Sequence, residues 1–304
     1  MNPIENFRAG YIAVVGLPNV GKSTLLNRLL HFKISIVTPK PQTTRKNVLG
    51  ILNAPQYQMV FIDTPGILEP RYTLQEKMLK SVKSAIADAD VLVYMVDAAE
   101  RRQAPQEVQK QMARTQNKAV ILALNKIDLL EKRQLLPLIE QYSKIHPFKA
   151  IIPISAEKSD GLGQLLEEIA KNLPFGHPFY PSDYLSDQQE RFFVAEIVRE
   201  KIFKLYGEEI PYSCHVEIEE FREAAPSPEE PQEGKDYIRA LILVEKPSQK
   251  GILIGKKGQA LKKVGLLARE EIEAFLGRPV FLELFVKVAE DWRRKEGLLR
   301  RMGY

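Results

Sequence analysis

Cysteine and tryptophan are nearly absent from this sequence: Cys214 and Trp292 each stand alone among 304 residues. One cysteine makes neither an internal disulfide nor a zinc cluster, so disulfide-built and Cys-rich metal folds are excluded and a reducing compartment is expected. Cys214 reads as a small apolar residue in a strand. No apolar run approaches the roughly 18 residues needed to span a bilayer, which argues against an integral membrane protein. The opening MNPIENFRAGYIAVVG lacks the basic region, apolar region and small-residue cleavage site of a secretory signal, so no signal peptide is expected. Histidine is sparse too. His31, His146, His177 and His215 show no metal-ligand or acid–base spacing and read as structural or surface residues.

What is present is an ordinary globular composition, 44% hydrophobic and 27% charged, with length enough for two domains. The net charge of +5 is unevenly spread. Residues 1–180 carry 23 Lys+Arg against 16 Asp+Glu, residues 181–245 carry 7 against 16, and residues 246–304 carry 14 against 7. The basic last stretch is a candidate for a polyanion partner, although a solvated helical surface would look the same.

Short apolar runs at 11–16, 57–66, 91–98, 119–128 and 150–156 read as strands. Helical periodicity lies between them: Leu25, Leu26, Leu29 and Leu30 share a face, and further helices are predicted over 74–87, 106–115, 133–143 and 161–173. Continuous apolar strands separated by helices predict a mostly parallel sheet covered on both faces. Pro174, Gly176, Pro178 and Pro181 then mark a boundary. The division expected is a first domain at 1–176, a linker at 177–187 and a second domain at 188–304. The second reads as a helix at 188–205, a strand at 212–219, a flexible acidic, Pro-rich loop at 220–236 and a strand at 237–244. A Gly-rich turn at 251–258, a helix at 259–275, a strand at 279–288 and a basic helix from 290 to the end follow.

The stretch GLPNVGKS at 16–23 matches G-x-x-x-x-G-K-[ST] immediately after a strand and opening a helix. Gly16, Asn19, Val20 and Gly21 would turn backbone N–H groups toward phosphates, with Thr24 in the first helical turn. Lys22 would reach the β- and γ-phosphates, and Ser23 would ligate Mg²⁺. DTPG follows the next apolar run: Asp63 is placed to hold Mg²⁺, while Thr64 and Pro65 lead to Gly66, whose amide can approach a γ-phosphate. Asn125-Lys126-Ile127-Asp128 follows a later strand. A carboxylate at Asp128 accepts two hydrogen bonds from guanine, whereas adenine would leave it unpaired. Asn125 is expected to address the other base edge and the Lys126 stem to cover the base plane. Ser155 and Ala156 would complete the pocket, the Ala156 N–H facing the guanine carbonyl.

In this order and spacing the motifs resemble a GTPase domain of the translation-factor class. That resemblance implies that a threonine of PQTTR at 41–45 ligates Mg²⁺ in the GTP state; Thr44 is taken first and Thr43 second. The residue after Gly66 is Ile67 rather than glutamine, so no side chain there orients the attacking water, and Lys22, Thr44 and Gly66 remain as the catalytic candidates. The resemblance further implies that Asn19 helps bind K⁺ in place of an arginine finger. A loop-capping role for Asn19 stands equally on the residues.

Gly255-Lys256-Lys257-Gly258 is a G-x-x-G turn between helical segments. Alone it is a weak signal. Within an α-β-β-α-α-β order it fits the loop by which a type II KH domain clamps single-stranded nucleic acid. Lys250, Lys262 and Lys263 add charge beside it, and Ile252, Leu253 and Ile254 would form an apolar groove floor. The expected fold is therefore a P-loop α/β GTPase domain followed by a smaller α+β KH domain.

A single such GTPase domain joined to a C-terminal KH domain resembles the Era family of GTPases over nearly the whole chain. PQTTR and the segments 80–97, 246–265 and 282–293 carry the likeness further. The resemblance implies slow GTP hydrolysis to GDP and binding to the 3′ end of the small-subunit (16S) ribosomal RNA in 30S assembly. It also implies a cytoplasmic protein with peripheral contact to the inner face of the membrane. Three readings stay open on the residues: an assembly factor that hydrolyses GTP, a GTP-gated RNA-binding switch, and a membrane-signalling GTPase. The last would use its basic C-terminal helix, with Trp292, Leu298, Leu299 and Met302 as the insertable apolar surface.

Overall fold

The computed structural model describes residues 6–100, 118–224 and 234–304. The helix expected over 106–115 and the middle of the acidic loop, with Pro226, Pro228 and Pro231, lie outside them. The chain divides chiefly between Asp187 and Gln188 into two compact units.

The first unit is built on β1 (Arg8–Gly16), β2 (Val48–Ala54), β3 (Tyr57–Asp63), β4 (Val91–Asp97), β5 (Ala119–Asn125) and β6 (Ala150–Pro153). Their spatial order is β2-β3-β1-β4-β5-β6, and all neighbours are parallel except β2 and β3. The central strands are apolar throughout because helices cover both faces; every residue of β4 is buried. The helices α1 (Lys22–Leu30), α2 (Thr73–Asp88), α3 (Leu135–Ser143) and α4 (Leu162–Asn172) bury the leucines their periodicity predicts, among them Leu25, Leu26 and Leu165. β2 is the element the sequence pattern conceals. It is an edge strand interrupted by Gly50 and Asn53, returning antiparallel along β3 through Pro55 and Gln56.

The second unit runs α5 (Glu190–Leu205), a single turn α6 (Ile210–Ser213), β7 (His215–Arg222), β8 (Asp236–Val244), α7 (Pro247–Ile254), α8 (Gln259–Leu276) and β9 (Val280–Val288). β8 is central, antiparallel to β7 and parallel to β9. The parallel pair needs a crossover, which α7 and α8 supply. One core joins Val194, Ile197 and Ile202 of α5, Ile238, Ala240 and Ile242 of β8, Leu253 of α7, and Val264, Ala268 and Ile272 of α8. The α8 residues recur every four positions, the stripe of a helix lying on a sheet.

Three expectations change here. Pro211 starts a helical turn, so β7 begins only at His215; Cys214 sits just before it, buried, its Sγ donating to the Pro211 carbonyl. The tail is no long basic helix but a 3₁₀ turn (Trp292–Arg294) and the short α9 (Glu296–Arg301). Trp292, Leu299 and Met302 are buried, and Trp292 Nε1 donates to the Ser213 carbonyl at 2.8 Å, so the surface expected to insert into a membrane is core. Among the described residues no helix is long and apolar enough to cross a membrane. Trp292→Ala is accordingly expected to destabilise the second unit by about 3–5 kcal/mol in urea unfolding. An exposed tryptophan would change stability by less than about 0.5 kcal/mol.

Candidate nucleotide and nucleic-acid sites

The loop from Gly16 to Gly21 joins the end of β1 to the start of α1. Gly21 caps α1 at φ 100°, and a Cβ there would stand 2.4 Å from Asn125 Nδ2, so both conformation and space require glycine. Lys22 is 6% exposed, its Nζ folded back to donate to the carbonyls of Gly16 (3.2 Å) and Leu17 (2.8 Å). Burial lowers its pKa to about 8, against the pull of Asp63.

Asp63 ends β3, fully buried. Ser23 Oγ donates to its Oδ2 at 2.8 Å and Thr44 Oγ1 at 3.2 Å, and the two hydroxyls are 3.0 Å apart. Of the paired threonines it is thus Thr44 that joins this cluster, while Thr43 lines the adjoining cleft. Asp63 Oδ1 has no hydrogen-bond partner among the described residues. Burial pushes the carboxyl up, with Ser35, Lys22, Ser23 and Thr44 opposing. A buried carboxylate with a free oxygen beside two hydroxyls is an all-oxygen donor set suited to Mg²⁺. Thr64 Oγ1 donates to the Val14 carbonyl at 2.7 Å, fixing Thr64, Pro65 and Gly66 against β1. Ile67 is buried, and its N–H donates to Gly16 O at 3.0 Å; the position after Gly66 therefore faces the core. Asn19, at φ 64°, donates from Nδ2 to Pro39 O at 2.8 Å and so ties the phosphate loop to the segment leading to Thr44. Asn19, Lys22, Ser23, Thr24, Thr44 and Gly66 line a cleft of about 440 Å³ that extends to Lys126. A nucleotide fits such a volume.

At the far end of the cleft one expectation is corrected, that of a free Ala156 N–H. The Asn125 amide is used partly within the protein and keeps a second N–H donor on Nδ2. Its Nδ2 donates to the carbonyl of Val20 at 2.7 Å and its Oδ1 accepts from Ala156 N at 2.9 Å, so the side chain is a strut between two loops. The Ala156 N–H is engaged by the same contact. Ser155 Oγ accepts from Lys158 N at 3.1 Å, shaping the turn. Lys126 adopts φ 67°, and its Nζ lies 2.5 Å from Asp97 Oδ2. Asp128 is exposed on the 3₁₀ turn Ile127–Leu129. Asp97 is a residue that motif reasoning misses; an acid ending a core strand is its only signal in the sequence.

In the second unit α7 ends at Gly255 (φ 71°), where a Cβ would come within 2.6 Å of the Ala260 Cβ. Lys257 and Gly258 also have positive φ, and the lysines Lys256, Lys257, Lys262 and Lys263 are exposed while Lys250 is half-buried. The three residues expected to floor a groove beside this turn point to different sides. Leu253 is fully buried in the core, Ile252 is 54% exposed and Ile254 half-buried, because one helical turn cannot point three successive residues to one side. A groove of about 350 Å³ lies between α8 and β9, lined by Leu261, Lys262, Leu266, Arg269, Leu282 and Leu284. Leu261, Gly265 and Arg269 form a second four-residue stripe on α8, offset from its core stripe, and that is the legible signal.

Phosphate loop, buried Mg²⁺-type carboxylate and NKID loop on a parallel sheet, followed in the chain by a G-x-x-G unit, define a P-loop GTPase carrying a KH domain. The family model for 50S ribosome-binding GTPases matches residues 11–126, and that for the KH domain matches residues 209–293. GTPase Era of Geotalea uraniireducens is 45% identical over 300 residues, 99% of each chain. The chloroplastic GTPase ERA-like protein of Arabidopsis thaliana is 46% identical over 99% of this chain and 70% of its own length. A crystal structure of Era with MgGDPNP and nucleotides 1506–1542 of 16S ribosomal RNA superposes with a TM-score of 0.92 at 45% identity, covering 98% of this chain and 99% of that one. A variant of Aquifex aeolicus Era bound to GDP·AlF4⁻ gives the same values. The chain belongs to the Era family of GTPases.

The Lys22 shift sets a pH dependence. In the free protein the ammonium deprotonates near pH 8. Phosphates favour the ammonium, so above that pH binding must take up a proton. GDP affinity is expected to fall as pH rises past about 8, approaching tenfold per unit, with matching proton uptake in calorimetry across buffers. Asp128→Asn exchanges an acceptor for a mixed donor and acceptor. Competition binding should show preference moving from GTP toward xanthosine triphosphate; unchanged preference would place base recognition elsewhere.

Proposed function

We propose that this chain is a GTP-hydrolysing regulator that binds the 3′-end region of 16S ribosomal RNA and assists 30S subunit assembly. The observation that carries this reading is one chain holding both a GTP-type cleft and a basic KH groove, as does the Era bound to GDPNP and that RNA. Backbone N–H groups of the loop from Gly16 to Gly21 cradle the phosphates, Lys22 pairs with the β- and γ-phosphates, and Asp128 selects guanine. Ser23, Thr44 and Asp63 hold Mg²⁺, which when bound neutralises charge on the phosphates.

With Ile67 held in the core, no glutamine positions the attacking water, and intrinsic turnover is slow. The K⁺ reading rests on Asn19, whose amide already bridges toward the switch segment through Pro39. The location that fits is cytoplasmic. Arg294, Lys295, Arg300 and Arg301 are exposed, so contact with an anionic membrane face would be electrostatic rather than by insertion.

RNA passes over the G-x-x-G turn with its backbone against Lys256 and Lys257 and its bases in the groove of α8 and β9. Replacing both lysines by Asp tests this with a 16S 3′-end oligomer. Affinity should fall sharply at physiological salt, and the slope of log affinity against log salt should become shallower by about 1.4, roughly 0.7 for each phosphate no longer neutralised. GTP binding should be unchanged. Undiminished RNA affinity in the folded variant would leave the turn a helix–helix connection only.

A further inference from the structure

β2 is the edge strand of the first sheet, paired with β3 on one side only. Its outer edge is taken by the chain that leads to the second unit. Ile51 N donates to Leu185 O at 2.9 Å, Ser186 Oγ donates to Leu49 O at 2.6 Å, and Asn53 Nδ2 donates to Ser182 O at 3.1 Å. Beyond the hairpin, buried Gln58 makes three bonds to the same segment. Its Nε2 donates to Tyr180 O at 2.8 Å, and its Oε1 accepts from Phe179 N at 2.6 Å and Tyr180 N at 3.0 Å. Tyr11 stacks on Phe179 with ring centroids 5.3 Å apart. The Pro-rich stretch is thus a strap running antiparallel along β2.

The strap is held differently at its two ends. At Phe179 and Tyr180 it is anchored on a buried amide and a ring stack. At Leu185 and Ser186 it bonds the β2 backbone, and the Tyr184 and Leu185 side chains are about half exposed. That second end lies toward the nucleotide site. Val48, which opens β2, pairs in register with Asp63, and Thr44 donates to the same carboxylate. Past Ser186 the chain enters α5 at Glu190.

Building on the GTP-regulated RNA binding proposed above, we infer that this strap transmits the nucleotide state. Engagement or release of Thr44 shifts the start of β2. That shift makes or weakens the Leu49–Ser186 and Ile51–Leu185 hydrogen bonds, and thereby changes the tether from which the RNA-binding unit departs. Shielding the β2 edge from other chains is a separate service of the same strap.

The test uses the full chain, wild type and Ser186→Ala, with Asn53→Ala/Ser186→Ala as a stronger variant that keeps the three Gln58 bonds to the strap and removes only the Gln58 bond to Asn53 Oδ1. Affinity for a labelled 16S 3′-end oligomer is measured with GDPNP and with GDP, beside direct nucleotide binding. Exchange of the Ile51 amide is followed in both states. Allosteric couplings commonly amount to about 5–150-fold. The wild-type affinity ratio is expected in that range, and the double variant should bring it within about threefold of unity with nucleotide affinity kept. Ile51 exchange should differ between the two states in the wild type. A full ratio in the double variant with equal Ile51 exchange overturns the strap. A wild type that binds the RNA equally in both states overturns the gated reading on which the strap rests. State-dependent Ile51 exchange in a chain that binds no such RNA would sink the RNA reading while supporting the strap.

Discussion

The buried carboxylate of Asp63 governs how the first unit can be assembled. It closes β3, takes hydroxyl donors from the first turn of α1 and from the segment before β2, and pairs across the hairpin with Val48. A fully buried carboxylate with one oxygen unbonded is costly unless a cation shares it. The cost is tolerable because the same geometry lets a metal, a phosphate and Thr44 meet at one point. Lys22 repeats the pattern: a buried ammonium donating to two loop carbonyls, pushed toward neutrality until an anion arrives. Both groups are unfavourable alone and favourable together with a nucleotide, which is how a site is kept from collapsing onto itself.

The second unit works on a different constraint. Its groove comes from a division of labour on one helix: Val264, Ala268 and Ile272 face the sheet, while Leu261, Gly265 and Arg269 face outward beside β9. Gly255 and Gly258, with Lys257 between them at positive φ, turn the chain sharply enough for α7 and α8 to lie side by side. The basic side chains at that turn remain in solvent, while Arg199 of α5 is buried and paired with the half-buried Glu196.

Motifs whose backbone conformation is dictated by the residues themselves are legible in the sequence. GLPNVGKS, DTPG, NKID and G-x-x-G specify turns, and the strands between them specify the layer order. Side-chain partnerships are less so. The strut role of Asn125 is not legible, because residue type and spacing say nothing about a loop arriving from Val20, distant in the chain. Leu253 reads as part of the groove floor and is core, because three adjacent apolar residues look alike in sequence and only the helix phase separates buried Leu253 from exposed Ile252. β2 escapes notice because an edge strand with a glycine and an asparagine has a weak alternation. Trp292 and Met302 lie in a basic stretch whose charge masks their burial.

The Asn125 strut has a consequence for how such a protein can diverge. One amide fixes the loop that surrounds the phosphates, through Val20, and the loop that surrounds the base, through Ala156. Recognition of the two ends of a nucleotide is therefore not modular here. A lineage drifting toward another base could alter Asp128, which is exposed and makes no demand on the core, but could not vary the asparagine without loosening its grip on every nucleotide at once. Within one four-residue loop, selection would act on two neighbouring side chains in opposite ways, one adjustable and the other frozen.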